Sequence, residues 1–313
     1  MACSWRVCTV VERAYDAHGC AGSREGSSMG IGRITSFTRA GLVFDVRDSG
    51  PLDGTPVILL HGFPQDSRSW GPVAALLHAR GYRTIAPDQR GYSPGARPRP
   101  RFAYRPSELT KDIVELIRVA GLGPVHLVGH DWGAVVAWEL AAERPDLLRS
   151  LAALSVPHPG AFAQAMFTGS QRRKSRYMLF FQLPWLPERQ LTSGRSWESS
   201  LRATGMSSEA AARDAERLNE RGAARGALNW YRALVFSSPR ALRAKITVPT
   251  LYVWSDGDKA IGPRGAALTP GFVTARYTFE VLKGVSHWIP DDAPEQLATL
   301  LATHFVAALA NGN

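Results

Sequence analysis

Short apolar runs alternate with segments of helical spacing from Gly41 to near the end of the chain. Strict alternation over Leu42 to Val46 predicts an edge strand of a hairpin, and Tyr277 to Leu282 is predicted to be the last strand. Five runs between them are predicted to be buried parallel strands: Val57 to Leu60, Thr84 to Ala86, Val125 to Val128, Leu151 to Leu154 and Thr250 to Trp254.

Segments between these strands repeat apolar residues at helical spacing and end at Gly, Pro or Asn. The predicted helices are Trp70 to Arg80, Leu109 to Val119, Ala134 to Glu143 and Pro294 to Leu309. Strands that alternate with helices are typical of a mostly parallel sheet covered on both faces. The pattern therefore predicts an α/β fold with a doubly wound sheet.

The alternation stops between about Val156 and Arg243. This stretch is rich in Arg, Ser, Gln and aromatic residues, keeps helical spacing and contains no predicted strand. We interpret residues 157–243 as a helical cap inserted into a core made of residues 31–156 and 244–313.

Residues 1–30 lack strand and helix periodicity and include a Gly- and Ser-rich run from Gly22 to Ser28. We expect a disordered extension there, with Met29 as a candidate for the true start. The three cysteines of the chain all lie in this extension: Cys3, Cys8 and Cys20. The folded body therefore offers no cysteine for a disulfide, for thiol catalysis or for a metal site.

The formal net charge is +10, with 37 Lys and Arg against 27 Asp and Glu. The basic residues are spread along the chain, and the densest run, Arg172 to Arg176, fits a solvated helix face, so nucleic acid is not an expected partner. No run approaches the roughly 18 apolar residues of a membrane span, and no secretory signal pattern is present. We expect a soluble, cytoplasmic protein of one main domain, acting as a monomer or homodimer without membrane contact.

The predicted strand Val125 to Val128 runs into Gly129-His130-Asp131-Trp132-Gly133 and then into a helix. Small residues on both sides of a central position permit a sharp turn that holds the central side chain at the carboxyl end of the sheet, where such sheets bind ligands. The central residue of this elbow is usually Ser and here is Asp131. We therefore predict a carboxylate nucleophile and an alkyl ester intermediate, against the alternative that Asp131 only caps the helix.

His287 follows the last predicted strand, as expected for the base in the chain order nucleophile, acid, histidine. It is predicted to activate the water that hydrolyses the ester. The acid that orients His287 is expected after the strand ending at Trp254, where both Asp256 and Asp258 occur. We favour Asp258, because the residue further into the loop is better placed to reach the histidine.

The sequence Leu60-His61-Gly62-Phe63-Pro64 follows the strand Val57 to Leu60. The backbone N–H of Phe63, together with that of Trp132, is predicted to form an oxyanion hole. His61 is expected to be structural, because this loop needs backbone donors rather than a second imidazole.

With these residues in place, the chain from Gly41 to Leu309 resembles the α/β-hydrolase-fold epoxide hydrolases. The motifs that carry the resemblance are His61-Gly62-Phe63-Pro64, Gly129-His130-Asp131-Trp132-Gly133, Asp258 and His287-Trp288. Tyr177-Met178-Leu179-Phe180-Phe181-Gln182 and Asn229-Trp230-Tyr231-Arg232 look like the two cap motifs of the family. The resemblance implies that Tyr177 and Tyr231 hold and protonate the epoxide oxygen.

The activity implied by the resemblance is hydrolysis of an epoxide to a vicinal diol, with water as the second substrate and without cofactor or metal. Attack by Asp131 develops an alkoxide, which phenols of pKa near 10 neutralise without ionising at neutral pH. The cap is rich in aromatic residues, including Phe180, Phe181, Trp185 and Trp230, which favours a small hydrophobic or aryl-substituted epoxide. The residues expected to contact it are Phe63, Trp132, Phe180 and Trp230.

Two alternatives come from other functional classes. Haloalkane dehalogenases share the aspartate elbow and the following tryptophan, although they often have Asn where this chain has Phe63 and do not need paired cap tyrosines. A non-catalytic ligand-binding member of the fold is expected to lack one of the nucleophile, acid and base, and none is missing here. A serine esterase requires Ser at position 131.

Overall fold

The computed structural model describes residues 32–168 and 170–310. Within these residues, eight strands form one sheet in the order β1-β2-β4-β3-β5-β6-β7-β8. They are β1 (Ser36–Arg39), β2 (Leu42–Ser49), β3 (Thr55–Leu60), β4 (Tyr82–Pro87), β5 (Val125–His130), β6 (Leu148–Leu154), β7 (Thr250–Ser255) and β8 (Tyr277–Leu282). The predicted extension over residues 1–30, with Met29 and the three cysteines, lies outside the described residues.

The pairing along the sheet is mostly parallel. Strand β2 pairs antiparallel with both β1 and β4, and every later pair, from β4–β3 to β7–β8, is parallel. The expected edge position of Leu42 to Val46 was therefore wrong, because β1 lies outside β2. Strand β1 has only four residues, too few for its alternation to stand out in the sequence.

The helices connect these strands and build the segment between β6 and β7. They are α1 (Gly71–His78), α2 (Pro106–Val119), α3 (Trp132–Glu143), α4 (Pro159–Thr168), α5 (Gln171–Lys174), α6 (Tyr177–Phe180), α7 (Leu186–Leu191), α8 (Arg195–Ala203), α9 (Ser208–Arg217), α10 (Ala223–Arg232), α11 (Pro263–Leu268), α12 (Ile289–Asp292) and α13 (Pro294–Leu309). The described residues between β6 and β7 contain α4 to α10 and no strand. We call residues 157–243 the cap segment.

Both faces of the sheet are covered, which confirms the predicted doubly wound α/β-hydrolase fold. Alternate residues of β3 point to opposite faces, as a pleated strand requires. Ile58 and Leu60 pack in one buried cluster with α2 and α3, whereas Val57 and Leu59 pack in a second cluster with α1 and α13. Because helices cover both faces, β3 to β5 are almost wholly buried, and the carboxyl ends of the strands are the open edge of the sheet.

Ion pairs join the cap segment to the core. The Arg217 guanidinium in α9 lies 2.8 Å from Asp88, which follows β4, and Arg213 lies 3.2 Å from Asp291 in α12. A third pair, between Arg97 and Glu220, has a nitrogen–oxygen distance of 2.7 Å. The first two pairs join α9 to the core, and the third joins the turn that follows α9 to the core.

The part of the chain that the structure describes contains no helix with the length and apolar character of a membrane span.

Candidate active site

Asp131 lies at the sharp turn between β5 and α3. Its backbone has φ 52° and ψ −118°, a conformation that residues other than glycine seldom adopt. A Cβ atom on Gly129 would lie 2.3 Å from the carbonyl oxygen of Gly133, and one on Gly133 would lie 2.1 Å from that of Leu60. The turn therefore requires both glycines, and it raises the aspartate above the edge of the sheet.

The carboxylate of Asp131 is held by the loop after β3. Its Oδ1 atom accepts a hydrogen bond of 2.8 Å from the backbone N–H of Phe63. Asp131 occupies the N-cap position of α3, but within the described chain its side chain makes no capping hydrogen bond. The capping alternative therefore does not describe this residue, and Oδ2 is left to face His287 and the cavity.

His287 joins the two aspartates of the site. Its Nδ1 atom donates a hydrogen bond of 2.7 Å to Oδ2 of Asp258, and its Nε2 atom lies 3.5 Å from Oδ2 of Asp131. The other oxygen of Asp258 accepts from the backbone N–H groups of Ala260 and Ile261 at 2.7 and 2.8 Å. The structure thus brings Asp131, His287 and Asp258 together in the expected order.

Asp256 has a different environment from Asp258. Its Oδ1 atom accepts from the backbone N–H of Gly284 at 2.7 Å, and its Oδ2 atom lies 3.6 Å from the ammonium of Lys283. These contacts join the loop after β7 to the turn after β8, so Asp256 is a turn residue in this structure.

Burial and charge act in opposite directions on His287. Burial disfavours the imidazolium, but the carboxylates of Asp258 and Asp131 outweigh it and raise the pKa of His287 to about 10. Burial also disfavours the charged form of Asp258, whereas His287 and two backbone N–H groups stabilise it and lower its pKa overall. The free site therefore holds a protonated imidazole between two carboxylates at neutral pH.

The two cap tyrosines meet opposite Asp131. Tyr177 lies in α6 and Tyr231 in α10, and their ring centroids are 5.9 Å apart. Burial raises the pKa of Tyr177, and the nearby charge of Asp131 adds to the effect. Burial also raises the pKa of Tyr231, to which Tyr177 and Asp131 contribute, and the side chain of Trp132 offsets this only in part. Both phenols therefore keep their protons at neutral pH and can act as hydrogen-bond donors.

Aromatic packing fixes the position of Tyr231. Its ring lies edge-on to Phe63, Trp132 and Phe181, with centroid distances of 5.0 to 5.2 Å. The next residue, Arg232, pairs with Glu188 in α7 at 2.5 Å. Helix α10 is therefore tied to both the core loop and the neighbouring cap helix.

Two cavities open from this meeting point, and both are lined by Asp131, Tyr177 and Tyr231. The first arm has a volume of about 300 Å³, and its other lining residues are Phe63, Pro64, Lys174, Phe180, Phe181, Gln190, Trp197, Ser200, Leu201, Thr204, Lys259, Ala260, His287 and Trp288. The second arm has a volume of about 160 Å³ and is lined in addition by Pro106, Trp132, Val135, Glu139, Val156, Pro157, Pro159, Phe162, Ala163, Met178, Leu234, Ser237, Ser238, Ala241, Leu242 and Ile261. Asp131 and the two tyrosines thus lie where the two arms join.

Three of the four residues predicted to contact substrate line a cavity, and the fourth does not. Phe63 and Phe180 line the first arm and Trp132 lines the second. Among the described residues that line the arms, Trp230 is absent: its indole N–H donates to the carbonyl of Arg90 at 2.7 Å, and its ring packs edge-on against Trp132. The predicted contact of Trp230 with substrate is therefore not found in these cavities, and Trp230 instead packs against Trp132.

Trp185 is 65% exposed and lines neither arm in the described structure.

His61 shapes the loop that carries Phe63. Its Nε2 atom accepts from the backbone N–H of Gln89 at 3.0 Å, so its Nδ1 atom carries the proton and donates to the carbonyl of Gly62 at 3.1 Å. This arrangement agrees with the expected structural role. The Phe63 N–H contacts the carboxylate of Asp131, and the Trp132 N–H stays a predicted second donor of the oxyanion hole.

Several residues of the two arms were missed by sequence reasoning. Trp197 and Leu201 reach the first arm only because the cap segment folds over the core, so no local signal marks them. Glu139 is different, since it is a charged residue on a helix whose other buried positions are apolar or glycine. That contrast was available in the sequence.

The described residues contain no group of three or more His, Cys, Asp or Glu side chains arranged to hold a metal ion.

Known proteins resemble this chain in both sequence and structure. The family model for the alpha/beta hydrolase fold matches residues 55–294. The AB hydrolase superfamily protein YfhM of Bacillus subtilis is 35% identical over 262 residues, which cover 81% of this chain and 91% of that protein. Epoxide hydrolase 2 of Caenorhabditis elegans is 33% identical over 264 residues, covering 79% of this chain and 73% of the relative.

A solved structure agrees with these matches. The crystal structure of epoxide hydrolase A from Mycobacterium thermoresistibile superimposes with a TM-score of 0.74 at 25% sequence identity. The alignment covers 86% of this chain and 96% of that chain. The similarity therefore extends over the sheet and the cap segment together.

Proposed function

Because this chain belongs to the epoxide hydrolase family of the α/β-hydrolase fold, we propose that it hydrolyses epoxides to vicinal diols through a covalent ester on Asp131. The observation that carries the proposal is the meeting of Asp131, His287 and the two cap tyrosines at the junction of two apolar arms. An epoxide at this junction has a carboxylate on one side and two phenols on the other.

In the first step, Oδ2 of Asp131 attacks an epoxide carbon and the carbon–oxygen bond of the ring breaks. The electron pair of that bond goes to the epoxide oxygen, which takes a proton from Tyr177 or Tyr231. The N–H of Phe63 holds Oδ1 at 2.8 Å, so the attacking oxygen is oriented before the substrate reacts. The products of this step are an alkyl ester, a hydroxyl group and a tyrosinate.

Ester formation changes the charge balance around His287. The negative charge of Asp131 is lost, and one of the two carboxylates that raise the pKa of His287 disappears. The imidazolium passes its proton on to the tyrosinate and becomes a neutral base. Charge thus couples the first step to the second.

In the second step, His287 takes a proton from water, and the oxygen of that water attacks the ester carbonyl carbon. The oxyanion that forms on Oδ1 is stabilised by the N–H of Phe63 and by the predicted donor Trp132. Collapse of this intermediate breaks the bond between the carbonyl carbon of Asp131 and the ester oxygen, and the diol leaves with that oxygen as an alkoxide that takes the proton from His287. The carboxylic acid left on Asp131 then gives its proton to His287, which restores the carboxylate and the imidazolium. Asp258 keeps His287 in the required orientation.

Incubation of the purified protein with styrene oxide and, separately, with 1-bromobutane tests the proposal. We expect diol from the first compound and no bromide from the second, and Asp131→Asn should form neither product. Bromide without diol would overturn the proposal in favour of haloalkane dehalogenation, with Trp132 as a halide donor. Neither product from the unmodified protein would favour the non-catalytic alternative.

A further inference from the structure

The second arm contains a buried acid that the proposed mechanism does not use. Glu139 lies in α3 eight residues after Asp131, which is about 12 Å along the helix axis. It is only 5% exposed and lines the second arm. Within the described residues it forms no hydrogen bond and no ion pair, and the like charge of Glu143 acts on it.

The two arms differ in charge. Two basic residues, Lys174 and Lys259, are among those that line the first arm. In the described structure, the charged residues that line the second arm are Asp131 and Glu139, and no Lys, Arg or His lines it. On its outer side Glu139 also borders a cavity lined by His158, Glu143 and Arg240, but Arg240 forms no ion pair with it in the described chain. The second arm is therefore the negative arm.

A second polar group of this arm also lacks a partner. The hydroxyl of Ser237 is buried, has no hydrogen-bond partner among the described residues, and belongs to a residue that lines the same arm. The surrounding wall is largely apolar and includes Val135, Phe162 and Leu234. A carboxyl without a partner in such a wall is costly when ionised, and burial accordingly raises the pKa of Glu139 to about 7. A cation entering this arm removes that cost.

We propose that the second arm binds a cationic substituent of the epoxide, with Glu139 as its counter-ion and the Ser237 hydroxyl as a polar neighbour. This inference rests on the proposed function and specifies its substrate class: epoxides that carry a protonated amine or a quaternary ammonium group on one substituent. The epoxide ring then lies at the junction beside Asp131, and the cation lies toward Glu139 along α3. The apolar wall contacts the linker between them.

The test uses two series of epoxides that are identical except for the end group, trimethylammonium in one and tert-butyl in the other, with linkers of increasing length. The quantity measured is the ratio of kcat/KM for the charged compound to that for its neutral match. We expect a ratio of about ten or more at the best linker length, because an ion pair in a site of low dielectric is stronger than in water. Glu139→Gln should lower the ratio to about one, and Ser237→Ala should lower it by less.

Glu143→Gln is the matched control, since it removes an acid one turn further along α3 that does not line the second arm. It should keep the ratio of the unmodified protein. Thermal melting of each variant shows that the fold is retained. A ratio near one at every linker length, or a high ratio that persists in Glu139→Gln, would overturn the inference while hydrolysis of the neutral epoxides leaves the proposed function standing.

Failure to hydrolyse any epoxide would instead overturn the proposed function. The inference is then decided by calorimetric binding of the two corresponding diols, which needs no turnover. Tighter binding of the charged diol, lost in Glu139→Gln, would support a cation site, and equal binding of the two diols would refute it.

Discussion

The Nε2 atom of His287 lies 3.5 Å from Oδ2 of Asp131, so the base proposed for the second step contacts the carboxylate proposed as the nucleophile of the first. The contact is electrostatic as well as geometric, since Asp131 helps to raise the pKa of His287 to about 10. A histidine held in this way is protonated while Asp131 is free and can lose its proton once Asp131 is esterified. In the proposed mechanism, this change keeps the two half-reactions in sequence.

Replacing His287 with Gln should stop turnover and leave the ester in place. Asp131 can still attack the epoxide, whereas no group remains to activate water. Mass spectrometry of the variant after incubation with styrene oxide should show the protein plus one substrate mass. The double variant that also carries Asp131→Asn should stay unmodified, and an adduct on it would place the nucleophile elsewhere.

Changing both Tyr177 and Tyr231 to Phe should abolish ring opening, because no phenol remains to protonate the alkoxide. Each single change should lower kcat/KM by about 10² to 10⁴ at most, in the range of one general acid. The clearest readout is the rate of adduct formation in the His287→Gln background, which isolates the first step. A normal adduct rate in the double tyrosine variant, with an unchanged circular dichroism spectrum, would refute the assigned role.

Asp258→Asn should lower turnover by about a hundred-fold or more, because it removes the charge and the hydrogen-bond acceptor that orient His287. Loss of that charge should also lower the pKa of His287, which a pH titration of its imidazole signals by NMR measures directly. Asp256→Asn is the matched control in the same loop and should leave both quantities near their original values. The opposite result would exchange the roles of the two aspartates.

Glu139→Gln should stabilise the protein at high pH. The folded pKa of Glu139, about 7, lies above the ordinary value of 4.5, so the folded state binds the proton more tightly and stability falls as pH rises from 4.5 to beyond 7. The glutamine side chain does not titrate, so the stability of the variant does not fall in this way. The free energy of unfolding of the variant should exceed that of the unmodified protein by up to about 3 kcal/mol near pH 8, and the difference should vanish below pH 4.5. Urea unfolding at pH 4.5 and pH 8 measures the difference, and a gain of equal size at both values would contradict a titrating Glu139.

Much of the sheet was predictable because its pattern is local. Strand β8 and helix α13 coincide residue for residue with the segments predicted from periodicity. The short edge strand β1 was missed, and the position of β2 in the sheet was wrong. Four residues carry too little alternation to be recognised, and the neighbours of a strand depend on contacts distant in sequence.

Some residues of the candidate site could likewise be predicted from the sequence, and others could not. The elbow at Asp131 and the loop histidine His287 were predictable, because each is a short motif adjacent to a strand end. The exclusion of Trp230 from the cavity was not, since it depends on how α10 turns against Trp132 and the carbonyl of Arg90. Periodicity predicts that a residue lies on a helix, but it does not predict which distant residues that side chain packs against.

The sequence by itself determined the fold class, and it predicted Asp131 as the nucleophile and the order of nucleophile, acid and base along the chain. These features follow from backbone sterics and hydrophobic alternation, which act over a few residues. Only the tertiary structure decided that Asp258 rather than Asp256 contacts His287, that Trp230 supports rather than lines the site, and that Glu139 borders a negative arm. Those outcomes depend on packing between segments far apart in the chain, where burial and charge act through space and leave no periodic trace in the sequence.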